Sequence, residues 1–152
     1  MKCIAIDDEP LALTQLSDYI SQVPFLSLLK SCQDAFEAMK ILSEEEVDVI
    51  FVDINMPDLN GLDFIRSLVN RPLVIFTTAY SEYAVEGFKL DAVDYLLKPF
   101  EFQDLLKAAD KARRQFEYRL LEQQGEIGNA SQLKADSLFV KSDYRVVRID
   151  VK

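Results

Sequence analysis

The segment that decides the fold is VDVIFVDINMPDLNG, which spans residues 47–61. Its centre, residues 49–52, is apolar at every position, a pattern typical of a strand that is buried on both faces of a sheet. Asp53 ends this apolar run, and the loop from Asn55 to Gly61 that follows contains several turn-forming residues. The segment therefore predicts a central parallel strand that ends in an aspartate with a free carboxylate.

Four further apolar runs flank this strand at similar intervals. The five runs begin near Lys2, Leu26, Val47, Leu73 and Val93, so their starts lie 20 to 26 residues apart. Such intervals are too long for hairpins and suit strand–helix–strand units. Helical periodicity fills the intervals and follows the last run, with helices predicted to open at Pro10, Asp34, Gly61, Ser81 and after Pro99. The pattern predicts an α/β fold, with a doubly wound, mostly parallel five-stranded sheet and helices on both faces.

The apolar stripes of these helices are predicted to be core packing. In the first helix the stripe is Leu13, Leu16 and Ile20, and in the fourth it is Ala84, Val85 and Phe88. In the fifth helix the stripe is Phe102, Leu105, Leu106 and Ala109.

Composition excludes several classes of protein. The 152 residues are 49% hydrophobic, enough for one sizeable core, and no apolar run exceeds four residues, which excludes a membrane span and a signal-peptide core. The chain has no histidine, so Ser-His-Asp and Cys-His nucleophiles and histidine-bearing metal sites are excluded. Cys3 and Cys32 are predicted to be buried strand residues, and so few cysteines indicate a reducing, cytoplasmic compartment.

The net charge of −9 lies entirely in the first part of the chain. Residues 1–60 carry 12 acidic and three basic side chains, whereas residues 61–152 carry 14 of each. A basic footprint for nucleic acid is therefore excluded from residues 1–60.

Polar residues follow the strands at the edge where an open parallel sheet forms its sites. The first strand ends in Asp7-Asp8-Glu9, the third in Asp53, the fourth in Thr77-Thr78 and the fifth in Lys98-Pro99. Each has an ordinary interpretation, since Asp8 could cap a helix and Lys98 could be a solvated surface lysine. Their joint placement on four strand ends favours a site. Neighbouring carboxylates repel each other unless a cation lies between them, and a hard divalent ion, Mg²⁺ or Mn²⁺, suits such oxygen ligands.

The chemistry follows from which nucleophiles remain. Without a suitably placed histidine, cysteine or serine, a carboxylate is left, and an aspartate can attack phosphorus to give an acyl phosphate. A cation and Lys98 would neutralise the phosphoryl oxygens, and the Thr78 hydroxyl could hydrogen-bond them.

These motifs resemble the receiver domain of two-component response regulators over residues 1–119. The matching pieces are Asp7-Asp8, the run from Asp53 to Gly61, Thr78-Ala79 and Lys98-Pro99-Phe100. The resemblance implies a flavodoxin-like sheet with strand order 2-1-3-4-5 and a phosphoryl group received from a sensor histidine kinase.

The resemblance also implies the role of each site residue. Asp53 would be the phosphoacceptor; the metal would be held by Asp8, Asp53, the backbone carbonyl of Asn55 and, through water, Asp7. The phosphoryl group would be bound by Lys98, Thr78 and Ala79, with a cis bond between Lys98 and Pro99, and Thr78 and Tyr95 would form the switch pair. Pro57 and Gly61 would shape the loop after Asp53, and Asn55 and Tyr80 would tune the lifetime of the phosphoryl group.

The amino-acid composition of the chain changes after Arg119. Residues 120–135 are polar, contain Gly125, Gly128 and Asn129 as helix breakers, and are predicted to form a linker. Residues 136–152 alternate like a hairpin and are similar to the first strands of a LytTR-type DNA-binding domain. The rest of such a domain is missing, so we expect a piece of a longer regulator that binds DNA only as the full-length protein. Phosphorylation is expected to favour a homodimer, and no membrane partner is expected.

Other families fit the sequence less well. A haloacid-dehalogenase-like phosphatase needs a strand-one nucleophile, a second acid two residues later and a cap insertion. Position 9 is Glu9, but the best nucleophile here, Asp53, is on the third strand, and the chain has no room for the cap. A nucleotide- or flavin-binding domain needs a glycine-rich first loop, whereas the first glycine here is Gly61. A degenerate receiver that only binds proteins would not need the full set of acids and lysine. Mg²⁺ binding measured with and without a small phosphodonor would separate these alternatives.

Overall fold

The computed structural model describes residues 1–57, 59–80 and 90–136, with side chains described as far as residue 123. The strands are β1 (Lys2–Ile6), β2 (Ser27–Cys32), β3 (Val49–Asp53), β4 (Leu73–Thr78) and β5 (Asp94–Leu97). The helices are α1 (Pro10–Ser21), α2 (Ala35–Glu44), α3 (Gly61–Arg66) and α4 (Phe102–Asp136).

The five strands form one parallel sheet in the order β2-β1-β3-β4-β5, which confirms the predicted fold class and strand order. The central strand β3 pairs with β1 from Cys3–Val49 to Ile6–Val52, and with β4 from Val49–Leu73 to Asp53–Thr77. All residues of β3 and β4 are buried, as their unbroken apolar runs predict.

The sheet separates two apolar clusters. One contains Leu13, Leu16 and Ile20 of α1 together with Leu105 and other residues of α4. The other contains Ala35 and Ala38 of α2 and, from α3, Leu62, Phe64 and Ile65. Cys3 and Cys32 are fully buried, as predicted, and are free thiols. Burial raises the pKa of Cys3 to about 12 and that of Cys32 to about 11.

Local sequence signals explain where the helices begin. Pro10 opens α1, and the Asp34 side chain accepts a hydrogen bond from the Glu37 backbone N–H at 2.8 Å to cap α2. The Asn60 side chain caps α3 in the same way, with the Leu62 N–H at 2.7 Å.

Two local predictions are wrong. Leu106 is 37% exposed, because the face of α4 that packs on the core is Leu105, Ala108, Ala109 and Ala112. The helix also continues through Gly125, Gly128 and Asn129 to Asp136, where breakers were predicted. Glycine disfavours a helix by about 1 kcal/mol but does not block it as proline does, and no proline follows Pro99 in the chain.

The chain divides into two compact units, Met1–Phe116 and Glu117–Lys152. The predicted boundaries of a receiver at 1–119, a linker at 120–135 and a fragment at 136–152 stay a prediction. The predicted helix that opens at Ser81 and the predicted hairpin beyond Asp136 lie outside the described residues. Among the helices that are described, none combines the length and the apolarity needed to cross a membrane.

Candidate functional site at the carboxyl edge of the sheet

Three aspartates meet where β1 and β3 end. Asp7 and Asp8 directly follow β1, and Asp53 is the last residue of β3, the neighbouring strand. One carboxylate oxygen from each lies within 4.8 Å of the others, and within the described chain this is the group of acids that could hold a metal ion. The predicted clustering of the acids is therefore confirmed, and an oxygen-only set of ligands suits Mg²⁺.

Burial differs among the three acids. Asp7 and Asp53 are 1% and 4% exposed, whereas Asp8 is exposed. Burial, and after it the charge of Asp7, raises the pKa of Asp53 to about 6. The charge of Lys98 and the Asn55 backbone N–H, 3.3 Å from Asp53 Oδ1, act in the opposite direction. A buried carboxylate with a raised pKa gains from a cation placed beside it.

Lys98 joins the acids from the end of β5. Its Nζ lies 2.8 Å from Asp7 Oδ2 and 3.5 Å from Asp53 Oδ2. Burial alone would lower the pKa of Lys98, but its hydrogen bond to Asp7 and the charges of both aspartates outweigh burial and raise it. The lysine is therefore a fixed positive charge beside Asp53. The peptide bond between Lys98 and Pro99 is cis, as predicted.

The loop after Asp53 is closed against the end of β3. The Gly61 N–H donates to the Ile54 carbonyl oxygen at 2.8 Å, and the Ile54 N–H donates to the Thr77 carbonyl oxygen at 3.0 Å. A Cβ atom on Gly61 would stand 2.3 Å from the backbone oxygen of Asp53. Position 61 therefore requires glycine because two backbone segments approach closely there, whereas Pro57 is exposed.

Thr78 is fully buried and takes part in a chain of hydrogen bonds. Its hydroxyl donates to Asn55 Oδ1 at 3.0 Å and accepts from the Tyr80 N–H at 3.1 Å. The hydroxyl of Tyr95 donates to the carbonyl oxygen of Tyr80. Thr78 and Tyr95, which were predicted to act as a pair, are thus connected through the backbone of Tyr80.

A cavity of about 450 Å³ flanks Lys98 and Asp7 on the side of α1. Leu16, Thr77, Ala79 and Phe100 are among the residues that line it. Within the described part of the chain, the Thr77 hydroxyl is the buried side-chain oxygen without a hydrogen-bond partner.

Sequence reasoning missed two features of this site. The side chain of Asn55 bonds to Thr78, although only its backbone carbonyl was assigned a part in binding, and the hydroxyl of Thr77 is buried without a partner. Both depend on side-chain directions at the ends of adjacent strands. The only signal in the sequence was that polar residues occupy position 55, two residues after Asp53, and position 77, directly before Thr78.

Comparison with known proteins gives one consistent family. The sequence profile of the response regulator receiver domain matches residues 3–110. The sensory transduction protein LytR of Staphylococcus saprophyticus is 38% identical over 117 residues, which cover 75% of this chain and 46% of that protein. The sensory transduction protein LytT of Enterococcus faecalis is 33% identical over 135 residues, 87% of this chain and 56% of that protein. The chain thus spans about half the length of these curated relatives.

Solved structures agree with this result. The response regulatory domain of protein mrkE from Klebsiella pneumoniae has a TM-score of 0.70 and 36% identity, and the match covers 78% of this chain and 99% of that domain. A response regulator receiver domain from Clostridium thermocellum has a TM-score of 0.68 and 28% identity, covering 79% and 98%.

Proposed function

Because this chain belongs to the response regulator receiver family, we propose that Asp53 is its phosphoacceptor and that a sensor histidine kinase supplies the phosphoryl group. The observation that supports this best is the position of Asp53, which is buried within 4.8 Å of two further carboxylates and 3.5 Å from Lys98. A phosphatase or a protein-binding module with a degenerate site has no such support from the relatives, which are signalling proteins.

Phosphoryl transfer needs few groups. A carboxylate oxygen of Asp53 forms a bond to phosphorus while the bond from phosphorus to the donor's leaving atom breaks. Lys98 offers the arriving phosphoryl oxygens a positive charge, and the Thr78 hydroxyl and the Ala79 backbone lie at the end of the neighbouring strand to bind them. The same site would carry out any loss of the phosphoryl group to water, so the chain acts on itself and not on a separate substrate.

A divalent cation fits the three aspartates. Receiver domains bind Mg²⁺ at an acidic pocket, and we assign this role here to Asp8, Asp53 and the Asn55 carbonyl oxygen, with Asp7 acting through water. Burial, and after it the charge of Asp7, raises the pKa of Asp53, and a cation beside the three carboxylates would offset both effects. Bound Mg²⁺ would supply positive charge for the phosphoryl oxygens.

Phosphodonor labelling tests the acceptor. Acetyl phosphate with Mg²⁺ should add one phosphoryl group to the parent chain, detected by intact mass, and Asp53→Ala should abolish the addition. Asp63→Ala is a matched control, because Asp63 is an exposed aspartate of α3 that pairs with Arg66. Full labelling of Asp53→Ala would overturn the assignment.

Cation binding tests the role of Asp8. Asp8→Ala should weaken Mg²⁺ binding in calorimetry, because a hard cation loses one of its charged oxygen ligands. The affinity of Asp63→Ala should match that of the parent chain. Equal affinity in Asp8→Ala and the parent chain would remove Asp8 from the metal site.

The response is proposed to pass through Thr78 and Tyr95 to a dimer surface formed by the predicted helix that opens at Ser81, by β5 and by α4. Leu97 of β5 is 45% exposed, and Lys111 of α4 pairs with Asp94 of β5 at 3.2 Å, so this surface mixes apolar and charged groups. Phosphorylation should raise the dimer fraction in sedimentation, and Thr78→Ala should accept phosphate but respond less. An undiminished response in Thr78→Ala would separate this residue from the switch.

DNA binding is proposed for the full-length regulator and not for this chain. The relatives named LytR and LytT are about twice as long as the region that matches, and residues 1–60 carry the whole net charge of −9. A negative surface repels the DNA backbone and removes the salt-dependent part of the affinity. An anisotropy titration at physiological salt should show no sequence-dependent binding, and selective binding would show that residues 120–152 suffice to read DNA.

A further inference from the structure

The hydroxyl of Thr78 is already engaged in the unphosphorylated chain. It donates to Asn55 Oδ1 at 3.0 Å, across 23 residues of sequence, and accepts from the Tyr80 N–H at 3.1 Å. Thr78 is buried at the end of β4, whereas Asn55 is exposed two residues beyond the end of β3. The resemblance implies that the backbone carbonyl of Asn55 binds metal and that Asn55 tunes the phosphoryl lifetime, and neither role explains its side-chain hydrogen bond to Thr78.

A hydroxyl group has a single hydrogen to donate. In this chain the Thr78 hydrogen points to Asn55 Oδ1, so it can bind a phosphoryl oxygen on Asp53 only after leaving Asn55. The Asn55 side chain and the phosphoryl group therefore compete for the same hydrogen.

We infer that the side chain of Asn55 is a latch that holds Thr78 in the unphosphorylated arrangement and thereby weakens the response to phosphorylation. The inference rests on the proposed function, because it requires a phosphoryl group on Asp53. Asn55 acts as a positioning residue, since its side-chain oxygen reaches the site through Thr78.

The latch extends to Tyr95 through the backbone. Tyr80 donates its N–H to the Thr78 hydroxyl, and its carbonyl oxygen accepts from the hydroxyl of Tyr95. A shift of Thr78 therefore acts on Tyr80, the same residue whose carbonyl oxygen accepts the hydrogen bond from Tyr95. We expect Asn55 to influence the position of Tyr95 through this shared residue.

The latch biases the switch and does not block it. A neutral, partly buried hydrogen bond such as this one changes an equilibrium by about two- to tenfold, because water replaces much of its energy when it breaks. Removing the Asn55 oxygen should therefore favour the phosphorylated arrangement by a factor of this size.

A double-mutant cycle tests the latch. The probe is beryllium fluoride, a phosphoryl mimic, titrated calorimetrically at saturating Mg²⁺ into the complete chain. Asn55→Ala should bind beryllium fluoride about two- to tenfold more tightly than the parent chain. Asn70→Ala removes the same type of side chain beyond the opposite edge of the sheet, before β4 begins, and should leave the affinity unchanged.

The Thr78→Val background separates the latch from other effects of Asn55. Valine keeps the shape of threonine and removes the hydroxyl, so Asn55→Ala should no longer change the affinity there. Unchanged or weaker binding by Asn55→Ala in the parent background would overturn the latch, as would an equal gain in both backgrounds. A parent chain that binds no beryllium fluoride at saturating Mg²⁺ would instead overturn the proposed function, and the latch with it.

Discussion

Replacing Gly61 with alanine tests how closely the loop after β3 supports the backbone of Asp53. The new Cβ atom would stand 2.3 Å from the Asp53 carbonyl oxygen, where real Cβ contacts do not fall below 3.0 Å. The difference of about 0.7 Å must be absorbed by backbone, since the Asp53 carbonyl carbon and the Ile54 Cα also lie only 3.0 Å from the new atom. No side chain can rotate to relieve the clash.

Two effects of known size follow from this displacement. Overpacking of a well-filled site costs about 1–3 kcal/mol, and the better helix propensity of alanine returns at most about 1 kcal/mol. Because the new atom meets backbone, the cost of overpacking should fall in the upper part of this range, at about 2–3 kcal/mol. After the gain in helix propensity, Gly61→Ala should therefore lower the free energy of unfolding by about 1–2 kcal/mol. A shift approaching 1 Å at a reacting group lowers the rate by up to about 100-fold, so phosphorylation of Asp53 should slow by roughly 10- to 100-fold.

A variant of similar stability separates the two effects. Ile20 is fully buried in the apolar cluster of α1, away from the loop, and Ile20→Val should cost about 0.5–1.5 kcal/mol. Urea unfolding gives both stabilities, and phosphorylation rates are compared where each variant is fully folded. The reasoning fails if Gly61→Ala is as stable as the parent chain, or if its phosphorylation slows no more than that of Ile20→Val.

Three further changes test other parts of the structure. Thr77→Val should raise the free energy of unfolding by about 1 kcal/mol in urea titrations, because it removes a buried hydroxyl that has no partner among the described residues; a loss of stability would reveal a hidden partner. Asp34→Ala should cost about 1 kcal/mol by removing the cap of α2, an effect that Asp34→Asn should largely spare. The thiols of Cys3 and Cys32 ionise at about 12 and 11 when folded and near 9.0 when unfolded. The folded state therefore keeps the thiols protonated more strongly than the unfolded state does. The resulting contribution to the free energy of unfolding is complete below pH 9 and is lost as the pH rises towards 11–12, by up to about 1.4 kcal/mol per pH unit per thiol. Cys3→Val should lose less stability than the parent chain between pH 8 and 10, and equal losses would contradict the raised pKa of Cys3.

The sheet was predictable from sequence because its signals are local and agree with one another. The apolar runs at residues 49–52 and 73–76 can be satisfied only by burial on both faces, and intervals of 20 to 26 residues leave room for one helix each. Parallel strands then bring Asp53 and Lys98 to the same edge, whatever the details of the loops. The clustering of the acids followed from the topology.

The end of α4 was not predictable in the same way. Gly125 and Gly128 are weak helix formers, and local propensity alone favours a break there. A helix that is already formed, however, gains one backbone hydrogen bond for each residue added, and this gain competes with the glycine penalty. A difference of about 1 kcal/mol per residue is too small for sequence to decide the outcome.

The side chain of Asn55 marks a second limit. Its sequence position placed it in the loop after Asp53, but its partner Thr78 lies 23 residues away on another strand. Whether the Thr78 hydroxyl donates to Asn55 depends on distances of a few tenths of an ångström, which no pattern of residue types encodes.

The contacts of Lys98 and Thr78 also indicate how the proposed switch can be reversible. Both groups that would bind the phosphoryl oxygens already have partners: Lys98 bonds to Asp7 at 2.8 Å and Thr78 to Asn55 at 3.0 Å. Phosphorylation of Asp53 would then exchange one set of hydrogen bonds for another and leave neither group unsatisfied in either state. Since Lys98 and Thr78 have partners in each state, the free energies of the two states differ by how much stronger the new hydrogen bonds are than the old ones. A small surplus allows a single phosphoryl group to shift the population and allows its loss to return the chain to the starting arrangement.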